Sequence, residues 1–267
     1  MQFFCYHNGQ FKPRVDVSVS TTDLGFTRGY AAFELIRTYG YTPFYLKEHL
    51  ERFKNNANAL LLNYPDNVEK IVYELLEKNN CQDLVIRLYL SEDESGESHF
   101  LILCDPIQVP PREQYENGIA VITSSHTRHF HLIKSTCYLA AILALKEAAK
   151  KKAEDALFKN SQGHLLEFTK SNFFAVINGT LYTPKDEILL GITRAIVINL
   201  AQQLSIQVIE APIRIEELPN ITEAFSTSTI RELLPISQID SQKLPLGPIT
   251  QTLSQAFPSG TLQTNIF

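Results

Sequence analysis

Lys134 lies beside a long apolar stretch, because Ile133 precedes it and residues 137–145 carry no charged side chain. A lysine that loses its solvation has a lowered pKa, and its free amine can attack a carbonyl carbon to form a Schiff base. We predict a helix over 135–152, which would place Lys134 at the helix start. An ordinary surface lysine is the competing interpretation at such a position.

Two segments carry groups that bind an anion such as phosphate. Gly191, Ile192 and Thr193 open a predicted helix, where unpaired backbone N–H groups and the helix dipole attract negative charge. The hydroxyl-rich tract 226–229 can add further donors. Thr193 as a plain N-cap and a simple turn at 226–229 account for the same residues without any ligand.

Three more ionisable residues are candidates for contacts with such a ligand. His49 and Arg52 lie three residues apart on a predicted helix, so both side chains can face a ligand, or both can face water. Glu167 stands among apolar residues in the segment 165–174 and, if buried, requires a cationic or N–H partner. A protonated pyridine nitrogen is one such partner; a strand-edge carboxylate in water is the simpler alternative.

Composition narrows the class of protein. The chain has 267 residues, 44% of them hydrophobic and 20% charged, as in ordinary globular domains. A net charge of −5 disfavours nucleic acid as a partner. No apolar run approaches the roughly 18–20 residues of a membrane helix, so we expect a cytoplasmic protein without a membrane contact. His126, His129 and His131 have no carboxylate or cysteine beside them to complete a ligand set, so no metal is expected.

Strands and helices alternate along the chain without a regular βαβ rhythm, which predicts an α+β fold. Alternating valines predict a strand over 15–19. Apolar residues at helical spacing predict a helix with Leu50, Phe53, Ala57, Leu60 and Leu61 on one face and Lys47 facing water, and a second helix over 67–79.

The segment 105–117 contains three prolines and several polar residues, which is typical of a linker between domains. We therefore predict an N-terminal α/β domain over 1–108, a linker over 109–118 and a C-terminal domain over 119–267.

Taken in chain order, these residues carry a resemblance that covers nearly the whole sequence. The motifs are Asp23-Leu24-Gly25, Arg28-Gly29, Phe33-Glu34 through Arg37, His49-Leu50-Glu51-Arg52, Lys134 ahead of Glu147-Ala148, Glu167 to Asn172-Phe173-Phe174, Thr183-Pro184, Gly191-Ile192-Thr193-Arg194, and Ser228-Thr229 through Pro235. With them the chain resembles the class IV aminotransferases, the fold-type IV pyridoxal-phosphate enzymes that include branched-chain and D-amino-acid aminotransferases and aminodeoxychorismate lyase. The stretch 167–174 and the motif 191–194 are the most specific parts.

The resemblance implies a role for each matched residue. Lys134 would form the Schiff base with pyridoxal 5'-phosphate and move the proton between the substrate α-carbon and C4′ of the cofactor, while Glu167 would pair with the pyridinium nitrogen. The phosphate would be held by Arg52, Ile192, Thr193, Ser228 and Thr229. The resemblance also implies a two-domain, D-amino-acid aminotransferase-like fold, a cofactor-binding C-terminal domain, and a homodimer with the cofactor at the domain interface.

The reaction that the resemblance favours is transfer of an amino group from a branched-chain-like amino acid to a 2-oxo acid. Glu34 supports the aminotransferase branch, because the lyase branch tends to carry threonine at that place. The alternative is 4-amino-4-deoxychorismate lyase, which eliminates pyruvate and yields 4-aminobenzoate. A homologue that binds the cofactor, or serves a structural role, without activity is a third interpretation.

Candidates for the substrate carboxylate are Arg28, Arg87 and Tyr89. Val85 stands where branched-chain enzymes often have a tyrosine two residues before the arginine, and Tyr89 or Arg28 can compensate for its absence. Arg28 can also bind a second substrate carboxylate, or take part in a surface salt bridge.

Overall fold

The computed structural model describes residues 3–258, which divide into two compact units. The first contains residues up to Gln108 together with Ile133–Cys137, and the second contains Val109–Leu132 with Tyr138–Phe257. Residues 1–2 and 259–267, the outer ends of the two predicted domains, lie outside the described residues. The predicted linker over 109–118 contains a short helix, Arg112–Asn117.

The first unit is an antiparallel sheet with helices. Its strands are β1 (Phe4–His7), β2 (Gln10–Pro13), β3 (Ala31–Tyr39), β4 (Thr42–Pro43), β5 (Leu84–Glu92) and β6 (Ser98–Pro106), in the order β2-β1-β6-β5-β3-β4. Its helices are α1 (Leu24–Arg28), α2 (Leu46–Ala59) and α3 (Val68–Asn79).

The helices α2 and α3 form because one face of each is apolar and becomes buried. Leu50 and Phe53 on α2 join Val72 and Leu75 on α3 in one cluster with the sheet. Alternate residues of β3 share that side of the sheet, since successive side chains of a strand point to opposite faces. Both predicted helices are therefore confirmed, but the first ends at Ala59. Leu60 and Leu61, predicted on its apolar face, lie beyond it, and Leu61 is exposed.

The strand predicted over 15–19 is wrong. Residues Arg14–Asp16 form a single 3₁₀ turn instead, and Val15 and Val19 are exposed. The first hairpin turns at Asn8 and Gly9, which both have positive φ, and Pro13 is the last residue of its second strand. The alternating valines follow that end and lack the neighbouring strand that a β-pattern requires.

Among the described residues, the second unit contains ten strands and four α-helices. Its strands are β7 (Ile119–Ser124), β8 (Asp155–Lys159), β9 (His164–Phe168), β10 (Asn172–Ile177), β11 (Thr180–Thr183), β12 (Val208–Glu210), β13 (Ile213–Arg214), β14 (Ile221–Ser228), β15 (Glu232–Ile239) and β16 (Gln242–Lys243). Its helices are α4 (Arg112–Asn117), α5 (Leu139–Lys150), α6 (Ile192–Gln203) and α7 (Pro248–Ala256).

The strands of the second unit follow the order β12-β11-β10-β14-β15-β7-β8-β9-β13, and β16 pairs with β15. One residue pair, Asn172 with Glu167, joins β10 to β9, so the strands from β10 through β14, β15, β7 and β8 to β9 close into a ring. Most pairs are antiparallel, with helices packed on them. The α+β class is therefore confirmed.

The helix predicted over 135–152 begins later, at Leu139. The segment Ile133–Cys137 is irregular and pairs with β3 through a single bridge between Ser135 and Ala32. The apolar run after Lys134 resembles a helix in sequence, but hydrogen bonds to a strand distant in sequence determine the backbone of its first residues.

No helix within residues 3–258 is long and apolar enough to cross a membrane. The four cysteines, Cys5, Cys81, Cys104 and Cys137, all carry free thiols.

Candidate active site

Lys134 lies in the irregular segment beside β3 and not at a helix start. The N–H of Phe33 donates to the carbonyl oxygen of Lys134 at 2.9 Å, which ties this backbone to the sheet. The Nζ atom of Lys134 lies 5.1 Å from the centroid of the Phe33 ring, and the residue is half-buried. The amine is thus held against an aromatic face.

Arg52 and His49 on α2 both contact Glu34 of β3. The guanidinium of Arg52 donates through Nε to Oε2 at 2.9 Å and through Nη2 to Oε1 at 2.7 Å, and Nδ1 of His49 lies 3.1 Å from Oε1. Glu34 and His49 are almost fully buried. The alternative in which His49 and Arg52 form a water-facing pair is therefore wrong.

The protonation states of Glu34 and His49 follow from the geometry of their contacts with Arg52. Burial alone would raise the pKa of Glu34, but Arg52 and His49 outweigh it and hold that pKa well below its usual range. Burial, with the nearby Arg52 and Lys134, lowers the pKa of His49 against the opposing effect of Glu34. An ionised carboxylate only accepts hydrogen bonds, so Nδ1 of a neutral His49 carries the proton.

Glu167, on β9, is a buried carboxylate with N–H partners. Its Oε2 accepts from the amide of Asn172 and from the N–H of Leu189, both at 3.2 Å. Nη1 of Arg128 lies 3.7 Å from Oε1. Burial and these partners contradict the alternative of a strand-edge carboxylate in water.

Arg128 was not found from the sequence. It lies in the irregular segment between β7 and α5, where no periodic pattern marks the direction of a side chain. Its contact with Glu167 depends on the tertiary fold alone.

The N-terminus of α6 is capped by Gly191 and receives no side-chain cap. Thr193 is the second residue of the helix and is buried, so the N-cap alternative for Thr193 is wrong. Helix geometry leaves the first backbone N–H groups, those of Ile192 and Thr193, without an acceptor inside the helix. A Cβ on Gly191 would overlap Oδ1 of Asn172, so a larger residue there would force the Asn172 side chain to move.

Arg194 of the same motif points away from this N-terminus. Its Nε donates to the Thr183 hydroxyl at 3.2 Å, and its Nη2 donates to the Pro184 carbonyl and to Glu210 at 2.8 Å. Arg194 therefore fastens α6 to β11 and β12.

Ser228 ends β14, and Thr229 begins the turn Thr229–Arg231 that leads into β15. The Ser228 hydroxyl accepts from the N–H of Arg231 at 3.3 Å. Beside them, Oγ1 of Thr227 is buried without a hydrogen-bond partner among the residues described. A buried hydroxyl without a partner is unfavourable, which is consistent with a ligand at this end of β14.

These donors fit pyridoxal phosphate, the cofactor that the resemblance implies. A phosphate dianion suits the open N–H groups of α6 and the hydroxyl groups of Thr193 and Thr229. A buried carboxylate such as Glu167 suits a protonated ring nitrogen. Asn172 contacts Glu167 and closely approaches Gly191, so one side chain connects the carboxylate with the start of α6.

The three residues predicted to bind the substrate carboxylate have different surroundings. Arg87 pairs with Asp105 at 2.9 Å, and the ring of Tyr89 stacks on Phe33 with centroids 5.1 Å apart. Burial raises the pKa of the Tyr89 hydroxyl. Arg28 ends α1, is exposed, and donates to the adjacent carbonyl of Thr27. The structure brings Arg87 and Tyr89 together on one face of the first sheet.

Comparisons with known proteins find matches that cover most of this chain. The family model described as "Amino-transferase class IV" matches residues 31–239. A protein of Methanocaldococcus jannaschii named "Putative branched-chain-amino-acid aminotransferase" is 35% identical over 272 residues, covering 94% of this chain and 94% of that protein. A D-alanine aminotransferase of Staphylococcus epidermidis is 30% identical over 269 residues, covering 94% of this chain and 95% of that protein.

A solved structure is similar over nearly the full length. The crystal structure of a T.th. branched-chain amino acid aminotransferase with pyridoxamine 5'-phosphate matches with a TM-score of 0.89 at 26% identity, covering 96% of this chain and 92% of that one. These likenesses confirm the predicted fold-type IV architecture.

Proposed function

The chain belongs to the class IV aminotransferases, enzymes that use pyridoxal phosphate, and from this premise we propose what each residue of the site contributes. The protein is a pyridoxal-phosphate-dependent aminotransferase. We assign the covalent attachment of the cofactor to Lys134. Its Nζ then removes the proton from the substrate α-carbon, holds it, and returns it during transfer of the amino group.

The bound cofactor supplies an electron sink for the charge that develops when this proton leaves. Glu167 accepts a hydrogen bond from the ring nitrogen and favours its protonated form. Arg52 and the N–H groups of Ile192 and Thr193 bind the phosphate, together with the hydroxyl groups of Ser228 and Thr229. The single observation that carries this assignment is the contact of Asn172 with both Glu167 and the start of α6, which no side chain caps.

We propose an amino acid with an apolar side chain as the amino donor and a 2-oxo acid as the acceptor. Phe33 and Tyr89 support this choice, because their stacked rings give the sheet an apolar surface near the Lys134 amine. The M. jannaschii relative bears a branched-chain name. Arg87, with Tyr89 and Arg28, supplies the charge and hydrogen bonds for substrate carboxylates.

A half-reaction spectrum tests the proposed function. The purified protein is loaded with pyridoxal phosphate and given leucine, valine, D-alanine or glutamate singly, with no 2-oxo acid present. We expect leucine or valine to convert the visible band of the bound cofactor to the pyridoxamine spectrum. Lys134→Ala should lose this conversion, whereas Lys47→Ala, which changes an exposed lysine on α2, should retain it.

Two outcomes would contradict the proposal. Conversion by Lys134→Ala at the wild-type rate would remove Lys134 from its role. A wild-type band that no amino acid shifts, with 4-aminobenzoate formed from aminodeoxychorismate, would identify the lyase instead.

We also propose that the protein is a cytoplasmic homodimer. Leu139, Ile142 and Leu143 share one face of α5 and are all exposed, which is unusual for large apolar side chains without a partner. The four unpaired thiols suit a reducing compartment. Light scattering of the wild type should give twice the mass of the chain, and Ile142→Glu should shift it toward the monomer. A wild-type monomer would overturn the homodimer.

A further inference from the structure

Arg231 is the last residue of the turn Thr229–Arg231, and three contacts hold it. Its Nη1 donates to Oδ2 of Asp155 on β8 at 2.6 Å. Its carbonyl oxygen accepts from the Tyr115 hydroxyl at 3.1 Å, and its N–H donates to the Ser228 hydroxyl at 3.3 Å. The turn is thus fixed from three directions within the second unit.

Asp155 needs Arg231 as its counter-charge. Its carboxylate is fully buried, and its other oxygen accepts from the Thr169 hydroxyl at 2.6 Å and the N–H of Ala156 at 2.8 Å. Both of these donors are neutral. A buried carboxylate whose cation is removed is strongly destabilised, so this pair joins the turn firmly to β8.

The residue that follows the turn has a strained backbone. Glu232 has a φ of +53°, in the left-handed region that residues with a Cβ rarely adopt. Other turn residues of this chain, such as Asn8 and Asn178, share this conformation, and it persists where surrounding contacts determine it. Arg231, directly before Glu232, supplies such contacts.

We propose that Arg231 is a positioning residue for the phosphate site, acting with Asp155. The Arg231–Asp155 ion pair fixes the turn, and the fixed turn keeps the hydroxyl groups of Ser228 and Thr229 oriented toward the phosphate site. The inference rests on the proposed role of Ser228 and Thr229 in binding phosphate. Arg231 itself donates to Asp155 and acts through the turn.

Cofactor titration of the apoprotein tests this role without measuring turnover. Two probes are used: pyridoxal phosphate, and pyridoxal, which lacks the phosphate. For Arg231→Met we expect the dissociation constant of pyridoxal phosphate to rise about tenfold, the effect of freeing one or two ordered side chains. The dissociation constant of pyridoxal should change less than twofold. Lys243→Met, which removes an exposed cation on β16, should leave both values unchanged.

A double variant separates positioning from general stability. Arg231→Met leaves the Asp155 charge buried and should lower Tm. Combining it with Asp155→Asn removes that charge, so Tm should recover in part while the affinity for pyridoxal phosphate stays low. A purely structural role predicts that affinity recovers together with Tm.

Equal affinity of Arg231→Met and the wild type for pyridoxal phosphate would overturn this inference and leave the proposed function intact. Equal loss of affinity for pyridoxal phosphate and pyridoxal would overturn it too, because the effect would not involve the phosphate. A wild-type protein that binds neither probe would overturn the proposed function and this inference with it.

Discussion

Glu34 and Arg52 form a two-pronged ion pair in which Nε and Nη2 of the guanidinium donate to the two carboxylate oxygens at 2.9 and 2.7 Å. The planar guanidinium matches a carboxylate in this geometry, and the pairing fixes its orientation as well as its position. Since we assign Arg52 to the phosphate, Glu34 determines where that cation lies.

Glu34→Gln should therefore reduce stability at neutral pH. The substitution keeps the size of the side chain but leaves a largely buried Arg52 without its counter-charge, which costs about 3 kcal/mol. Urea unfolding at pH 7 measures the loss. Glu51→Gln, an exposed change on the same helix, should cost much less.

The Glu34–Arg52 ion pair predicts that the free energy of unfolding depends on pH. The pKa of Glu34 is held well below its usual range in the folded protein, so its stabilisation is fully present above the ordinary pKa of about 4.5 and is lost as the pH falls below it. The difference in unfolding free energy between the wild type and Glu34→Gln should thus shrink below pH 4.5. A difference that stays constant from pH 7 to pH 3 would contradict an ionised Glu34.

Gly191→Ala tests the connection between α6 and Glu167. The added Cβ would overlap Oδ1 of Asn172, whose amide donates to Glu167. We expect a loss of about 1–3 kcal/mol from overpacking, together with a shifted absorbance band of the bound cofactor. Gly179→Ala, at a turn with φ of +76° and open space, should cost stability without moving the band; the same band shift in both variants would contradict the connection.

Sequence patterns predicted the parts of the fold that local periodicity determines. Helix α2 was found because Leu50, Phe53 and Ala57 repeat at helical spacing and are all buried. The strand over 15–19 was wrong because alternation specifies a strand only where a neighbouring strand pairs with it, and that pairing is a tertiary property.

The residue types of the candidate site could be proposed from the sequence, whereas most of their contacts could not. The order of motifs pointed to Lys134, Glu167 and Thr193, but their surroundings depend on segments distant in sequence. Lys134 is held by β3, about a hundred residues earlier, and Arg128 approaches Glu167 from an irregular segment. No periodic pattern in the sequence indicates either of these two contacts.

Phe33→Ala should change substrate preference. Phe33 stacks on Tyr89 and lies under the Lys134 amine, so its removal deletes apolar surface that a large side chain would contact. We expect kcat/KM for leucine to fall about tenfold more than kcat/KM for alanine. Tyr89→Phe keeps the stacked ring and should preserve the ratio; equal losses for both substrates would remove Phe33 from side-chain recognition.

The cysteines should differ sharply in their reaction with iodoacetamide. Burial, with the nearby charge of Asp105, raises the pKa of Cys104 to about 12, and burial raises the pKa of Cys5 as well. Only the thiolate reacts, and a thiol with a pKa near 12 is about one part in ten thousand thiolate at pH 8. Peptide mass spectrometry of the folded protein should find the exposed Cys137 modified first and Cys104 unmodified.

In urea all four cysteines should react at similar rates, because unfolding removes the burial that separates them. Rapid modification of Cys104 in the folded protein at pH 8 would mean that the β6 strand opens to solvent, contrary to its place in the centre of the first sheet.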